Sequence, residues 1–400
     1  MQNTVKQYKA ILAKRNALSH AMGVLSYDSE TAMPKNGAPH MAETMAILSE
    51  ESYKLQVNDE VRALLEKLNA NSESLDEITR REVEEELKQL KKLENVPIEE
   101  YAAYSRLISE ASVKWREAKQ TNDYPLFKPY LERIIAAQKS LMAHMYPGKD
   151  TYDALLEEFS EGLSVEMLDP FFANVKAKLV PVIHAVCQSG NQADDSLLHR
   201  PFPIEGQRRL SSFVMDFLGI DRDSCVIGEV EHPFTTEFNK HDVRLTTHYH
   251  EDDVLSNMFS VAHEGGHCLY ELNMGDELIG SPLSGGATMT LHESQSRLFE
   301  NMICRSREFI ALLYPKMKEI FPEQMQGVSE EMLYRAANKS MPSLIRTEAD
   351  ELTYPLHIMV RYEIEKKLIA GTLSVDELPA EWNRLYKEYL GVDVPDDTHG

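Results

Sequence analysis

The sequence predicts a mainly α-helical protein interrupted by one small antiparallel β hairpin. Two observations carry this expectation. Apolar side chains recur at three- and four-residue steps along most of the 400 residues, and one short stretch near the middle alternates with period two instead. No internal repeat, low-complexity tract or long Gly/Ser linker divides the chain, which fits one large domain over 1–400.

The elements follow in order. In 76–95, Ile78, Val83, Leu87 and Leu90 form one stripe among Glu and Lys, and Pro97 follows as a stop. The next helix restarts at once, with Tyr101, Tyr104, Ile108, Ala111 and Trp115 spaced as a buried helical face. Similar periodicity runs through 130–145, 165–187, 207–218 and 330–339. A longer helix over 355–370 carries Ile358, Met359, Tyr362, Ile364 and Leu368 on more than one face. The exception is 225–249, rich in β-branched and aromatic residues, with Asn239-Lys240-His241-Asp242 as a turn. There Val243 and Leu245 alternate with Arg244 and Thr246, as in a half-buried strand.

Composition narrows the function classes. The chain is 42% hydrophobic and 27% charged, ordinary for a globular protein. Its 42 Lys and Arg stand against 65 Asp and Glu, a net charge of −23. A surface of that sign repels phosphate backbones and anionic headgroups, so neither nucleic acid nor membrane is expected as a partner. Cys187, Cys225, Cys268 and Cys304 are scattered, which fits reduced thiols better than a disulfide framework. The first twenty residues lack the uninterrupted apolar core of a signal peptide, and a cytoplasmic location is expected.

The chemistry concentrates at His263-Glu264-Gly265-Gly266-His267. On a helix over 254–274, histidines at i and i+4 share one face and can grip a single zinc. Glu264 sits one position round, where a carboxylate can take a proton from an activated water and pass it to a leaving amine. Zinc suits that task because it lowers the pKa of its water to about 7. An H-x-x-x-H spacing also arises by chance. The two glycines add weight: each costs about 1 kcal/mol relative to Ala in a helix, with no structural return visible in the sequence. Such violations tend to mark functional sites, where backbone or substrate must come close.

A catalytic zinc needs a third protein ligand and an open position. Glu293, in Leu291-His292-Glu293-Ser294-Gln295, lies thirty residues after His263 in the first turn of a helix expected over 290–303. Thr290-x-x-Glu293 is equally a capping box, which requires no metal, and spacing leaves both alternatives open.

Several motifs together resemble the carboxypeptidase Taq family of metal-dependent carboxypeptidases. They are His232-Pro233-Phe234, Asp242-Val243-Arg244-Leu245-Thr246, the HEGGH run, His292-Glu293-Ser294-Gln295 and Ile345-Arg346-Thr347-Glu348-Ala349-Asp350. Near the N-terminus, Tyr27 to Gly37 is similar to the family's opening signature, with Tyr27 where tryptophan is common. The resemblance implies a large helical metallopeptidase fold with a deep cleft, similar to angiotensin-converting enzyme and thimet oligopeptidase. Residues 1–205 would cover the cleft and 206–400 would carry the metal site. It also implies removal of single residues from peptide C-termini, usually by a homodimer.

Carried over residue by residue, the resemblance makes His263, His267 and Glu293 the metal ligands and Glu264 the general base. The metal would be Zn2+, with Co2+ or Mn2+ also suited to two His and a carboxylate. A substrate with a free C-terminus needs a fixed cation, best a guanidinium. Arg346 matches the family's motif for that task, and Arg244 is the second choice; either one taken alone reads better as a structural ion pair with a nearby Asp or Glu. His232 and the hairpin edge would hold the peptide extended, and Gln295 would be a substrate contact or simply a helix residue. Alternatives on the same scaffold are an oligoendopeptidase or aminopeptidase, and a non-enzymatic metal- or peptide-binding protein. Family members continue beyond Val394-Pro395-Asp396-Asp397-Thr398-His399-Gly400, so the sequence reads as a truncated member, with a catalytically impaired form as a further alternative. Part of the apolar surface of 355–370 is then expected to be exposed or covered by a partner chain.

Overall fold

Short polar side chains set many of the helix starts. Asn58, Asp76, Asp123, Asp150, Ser164 and Asp253 each accept from a free backbone N–H one turn ahead, as do Thr288, Ser306 and Ser329. The computed structural model describes residues 1–230 and 232–400. The chain forms two compact units, each built from two stretches: Met1–Asn95 with Leu198–Gly327, and Val96–Leu197 with Val328–Gly400. This division differs from the split expected near residue 205.

The first unit opens with α1 (Gln2–Thr31), α2 (Ala38–Gln56), α3 (Asp59–Asn69) and α4 (Glu77–Leu93). Tyr8, Leu12, Val61, Leu65, Leu68, Val83 and Leu90 form their common core. The buried carboxylates of Glu82 and Glu86 pair with Lys9 and Arg15, tying α4 to α1. The N-terminal stretch therefore joins the unit that holds the HEGGH helix. Tyr27 lies edge-on to Phe234, and Gly23 sits where a Cβ would meet the Phe238 ring at 2.7 Å.

The second unit takes α5 (Ile98–Thr121), α6 (Tyr124–Met145), α7 (Thr151–Phe159) and α8 (Val165–Gln188). On α5 the buried side chains are Leu107, Ala111 and Ala118, whereas Tyr101, Ile108 and Trp115 are exposed. The expected stripe is rotated, because α5 carries apolar residues on both sides of it. Lys119 covers the Trp115 ring instead.

The first unit resumes with α9 (Ile204–Leu218), β1 (Cys225–Glu229), β2 (Thr235–Asn239), β3 (Asp242–Thr247), α10 (Val254–Leu272), α11 (Met289–Arg297) and α12 (Arg307–Ile320). The strands make a sheet of order β1-β3-β2, antiparallel between β2 and β3 but parallel between β1 and β3. The purely antiparallel hairpin is thus corrected to a mixed sheet. Alternation shows which face is buried; it is silent on the direction of the neighbouring strand. Val243 and Leu245 are fully buried, as their spacing predicts. Asn257 of α10 bonds Thr247 and Ser211, linking the HEGGH helix to β3 and α9.

The second unit closes with α13 (Glu330–Ala337), α14 (Tyr354–Ala370) and α15 (Leu378–Leu390). The apolar faces of α14 are covered within the unit. Leu356, Met359, Val360 and Ile364 pack with Ile183 of α8 and with Leu385, Tyr386, Tyr389 and Leu390 of α15. Tyr362 and Ile369 pack with Tyr152 of α7. The expected exposed apolar surface on this helix is therefore absent: α14 spreads apolar residues round its circumference because α6, α7, α8 and α15 all pack against it. Among the described residues no helix is long and apolar enough to cross a membrane.

Candidate metal centre

The HEGGH run lies within α10, whose N-terminus is capped by Asp253 and which is buried along most of its length. One turn apart, the imidazoles of His263 and His267 point their Nε2 atoms at one carboxylate oxygen. Glu293 Oε2 is 3.6 Å from His263 Nε2 and 3.3 Å from His267 Nε2. All three donor atoms lie within 4.8 Å of one another. Donors about 2.0–2.1 Å from a tetrahedral zinc stand roughly 3.3 Å apart, so the spacing suits one such ion.

The other ring nitrogens are occupied in ways that leave Nε2 free for a metal. His263 Nδ1 is 2.8 Å from Glu300 Oε2. His267 Nδ1 is 2.6 Å from His292 Nδ1, and His292 Nε2 is 2.7 Å from Glu271 Oε1. Burial pushes the His263 imidazole towards neutrality, but Glu300, then Glu264 and Glu293, outweigh it and raise its pKa. Burial also acts to raise the Glu293 carboxyl; His267, His263 and Arg297 together overcome this and hold it at about 2. The site therefore presents an ionised carboxylate and favours a cation beside the imidazoles.

Glu293 is held by its own helix. Arg297 Nε donates to its Oε1 at 3.0 Å, and Arg297 Nη1 donates to Glu300 Oε2 at 3.0 Å. The capping-box alternative fails on position. The cap is Thr288, whose hydroxyl accepts from Leu291 N, so Thr290 already lies inside α11. After Arg297 the helix widens into a π-helical stretch, Leu298–Ile303, which carries Glu300. Such stretches are rare and frequently lie at functional sites.

The paired glycines do have a structural return. A Cβ on Gly265 would stand 2.4 Å from Leu218 Cδ1 of α9, and one on Gly266 would stand 2.6 Å from Ser296 Cα of α11. Close backbone approach brings the helix that carries Glu293 against the helix that carries the histidines.

Glu264 is buried at 6% exposure. Thr235 of β2 donates its hydroxyl to Glu264 Oε2 at 2.7 Å, with the Glu264 carbonyl 3.0 Å away. Burial raises the proton affinity of Glu264, opposed by His263, by the Thr235 hydrogen bond and by His267. The carboxylate is thus anchored and predisposed to accept a proton.

The expected substrate-binding residues differ in their own partners. Arg244 makes a two-point ion pair with Asp242 at 3.0 and 3.1 Å and lies over the Tyr27 and Phe238 rings. His232 is exposed ahead of β2, and the backbone of Gln295 abuts Gly266. Arg346 belongs to the second unit. Its guanidinium donates to the Tyr354 hydroxyl at 2.6 Å, and among the described residues no carboxylate pairs with it. The loop that displays it is shaped by Asp350, which accepts from the backbone of Met341, Leu352 and Thr353 and from the hydroxyls of Ser340 and Thr353. Sequence reasoning gave no role to Thr235, Glu271 or Glu300. The available signals were Glu271 at i+4 from His267 and Glu300 two turns beyond Glu293.

Known proteins resemble this arrangement along nearly the whole chain. The family described as Carboxypeptidase Taq (M32) metallopeptidase matches residues 7–400. Carboxypeptidase 1 of Bacillus subtilis (strain 168) is 40% identical over 395 residues, covering 99% of this chain and 79% of the relative. Thermostable carboxypeptidase 1 of Thermus thermophilus is 34% identical over 399 residues, covering 97% of this chain and 78% of the relative. The crystal structure of an M32 carboxypeptidase from Deinococcus radiodurans R1 superposes with a TM-score of 0.94 at 32% identity, covering 100% of this chain and 80% of that one.

Proposed function

The chain belongs to the carboxypeptidase Taq (M32) metallopeptidase family, and on that premise we propose that it removes single residues from peptide C-termini at a zinc centre held by His263, His267 and Glu293. The observation that carries the proposal is the convergence of two Nε2 atoms and one ionised carboxylate oxygen beside the buried carboxylate of Glu264. A bound zinc would supply a Lewis acid and a readily ionised water.

The chain's own residues supply the remainder. Glu264 takes the proton released by the attacking water and delivers it to the departing amine. Thr235 keeps that carboxylate from rotating away. Arg346, which pairs with no carboxylate among the described residues, is the receptor for the substrate's free carboxylate, for which a guanidinium fork is well shaped. Arg244 is already engaged by Asp242, which favours Arg346 over it. Peptides with a free C-terminus are the expected partners; the homodimer implied by resemblance, and the cytoplasmic setting expected from the N-terminal sequence and the scattered cysteines, remain part of the proposal.

Glu264→Gln tests the assignment. The variant should bind zinc like the parent and lose nearly all peptide hydrolysis. Turnover within a few-fold of the parent would remove Glu264 from the role.

A further inference from the structure

The contact between His267 and His292 is an end-to-end hydrogen bond. Their ring planes differ by 20° and their centroids lie 4.6 Å apart, yet the two Nδ1 atoms are only 2.6 Å apart. Near-parallel rings stacked face to face would keep their atoms about 3.5 Å apart or more. The two imidazoles are therefore not stacked face to face; they meet at their Nδ1 edges. One nitrogen must donate and the other accept.

Metal binding decides which. His267 Nε2 faces Glu293 and is the metal-facing atom, so the ring proton resides on Nδ1. His292 Nδ1 must then accept, which leaves its own proton on Nε2, aimed at Glu271 Oε1 at 2.7 Å. Glu271 is 3% exposed and lies one turn beyond His267 on α10. His292 has a single seat: a Cβ on Gly286 would stand 2.7 Å from its Cδ2, and Tyr270 closes another side.

From this geometry we infer that Glu271 and His292 are positioning residues, a two-step relay that holds His267 in the metal-binding tautomer and ring orientation. The inference rests on the metal-centre reading above. It makes the two histidine ligands unequal. His263 leans on the carboxylate of Glu300 directly, whereas His267 leans on Glu271 through an intervening imidazole. Partners of this kind typically contribute 10- to 100-fold in metal affinity.

The test is zinc affinity of the apo chain, by competition with a chromophoric chelator, together with thermal melting without metal. His292→Leu should weaken zinc binding about 10- to 100-fold with little change in apo melting. His292→Asn should weaken it less, because Oδ1 can stand in for Nδ1 as acceptor. Glu271→Gln should weaken binding in the parent and have no further effect in the His292→Leu background. Should apo His292→Leu prove unstable, His292→Asn with and without Glu271→Gln carries the same comparison. Parent-like affinity in His292→Leu, or losses from the two sites that multiply, would overturn the relay while leaving the metal centre intact. A parent chain that binds no zinc would overturn both.

Discussion

A Cβ built on Gly266 would stand 2.6 Å from the Cα of Ser296, so α10 and α11 meet backbone to backbone one residue from His267. Gly266→Ala must push α11 away, and with it Glu293. It should lower stability by about 1–3 kcal/mol and weaken zinc binding. Gly265→Ala clashes with the end of the Leu218 side chain, which can turn aside, and otherwise meets Ile220 Cδ1 at an ordinary 3.4 Å. The gain in helix propensity, about 1 kcal/mol, should leave that variant near neutral. Urea unfolding and zinc titration of both variants check this; equal behaviour would mean that the close approach is not what the glycines serve.

Arg346→Ala should reduce cleavage of free-acid peptides, through the loss of charge-assisted hydrogen bonds worth about 1.5–3 kcal/mol. Peptides with amidated C-termini should be poor substrates for the parent and little altered by the change. Kinetics on a matched pair of peptides decide it. An equal loss on both would assign Arg346 to structure, by way of Tyr354.

His357 gives the second unit a pH-dependent stability. It is fully buried, with Nδ1 3.0 Å from the Tyr386 hydroxyl and Nε2 without a partner among the described residues. Burial first, then Arg361 and Arg346, depress its pKa to about 4, against the opposing pull of Asp350. The unfolded chain takes up this proton near pH 6.5 and the folded chain only near 4. The stability it confers is therefore complete above pH 6.5 and lost as pH falls towards 4, up to about 3 kcal/mol. Urea midpoints measured from pH 7 to pH 4 should fall less steeply for His357→Leu than for the parent. Parallel curves would contradict the assignment.

Much of the site was legible because metal chemistry constrains spacing. His263 and His267 must share a helical face, and Glu264 then has one place to be. Glu293 was ambiguous because Thr290-x-x-Glu293 reads equally as a capping box, and only the structure puts the cap at Thr288 and Thr290 inside α11. The roles of His292, Glu271 and Glu300 were hidden, since they depend on which ring nitrogen faces the metal. The parallel pairing of β1 and the burial of α14 were equally out of reach. Both are set by neighbours distant in sequence, and apolar periodicity names a face without naming what covers it.

The central claim is metal-dependent removal of residues from a free C-terminus. Mass spectrometry of a peptide incubated with the zinc-loaded chain tests it most directly, beside the same peptide amidated and a chelator-treated control. The expected result is a ladder shortened one residue at a time from the free C-terminus, absent with chelator, restored by added Zn2+ and nearly absent for the amide. Internal cleavage of both peptides, or a ladder that persists in chelator, would contradict the account.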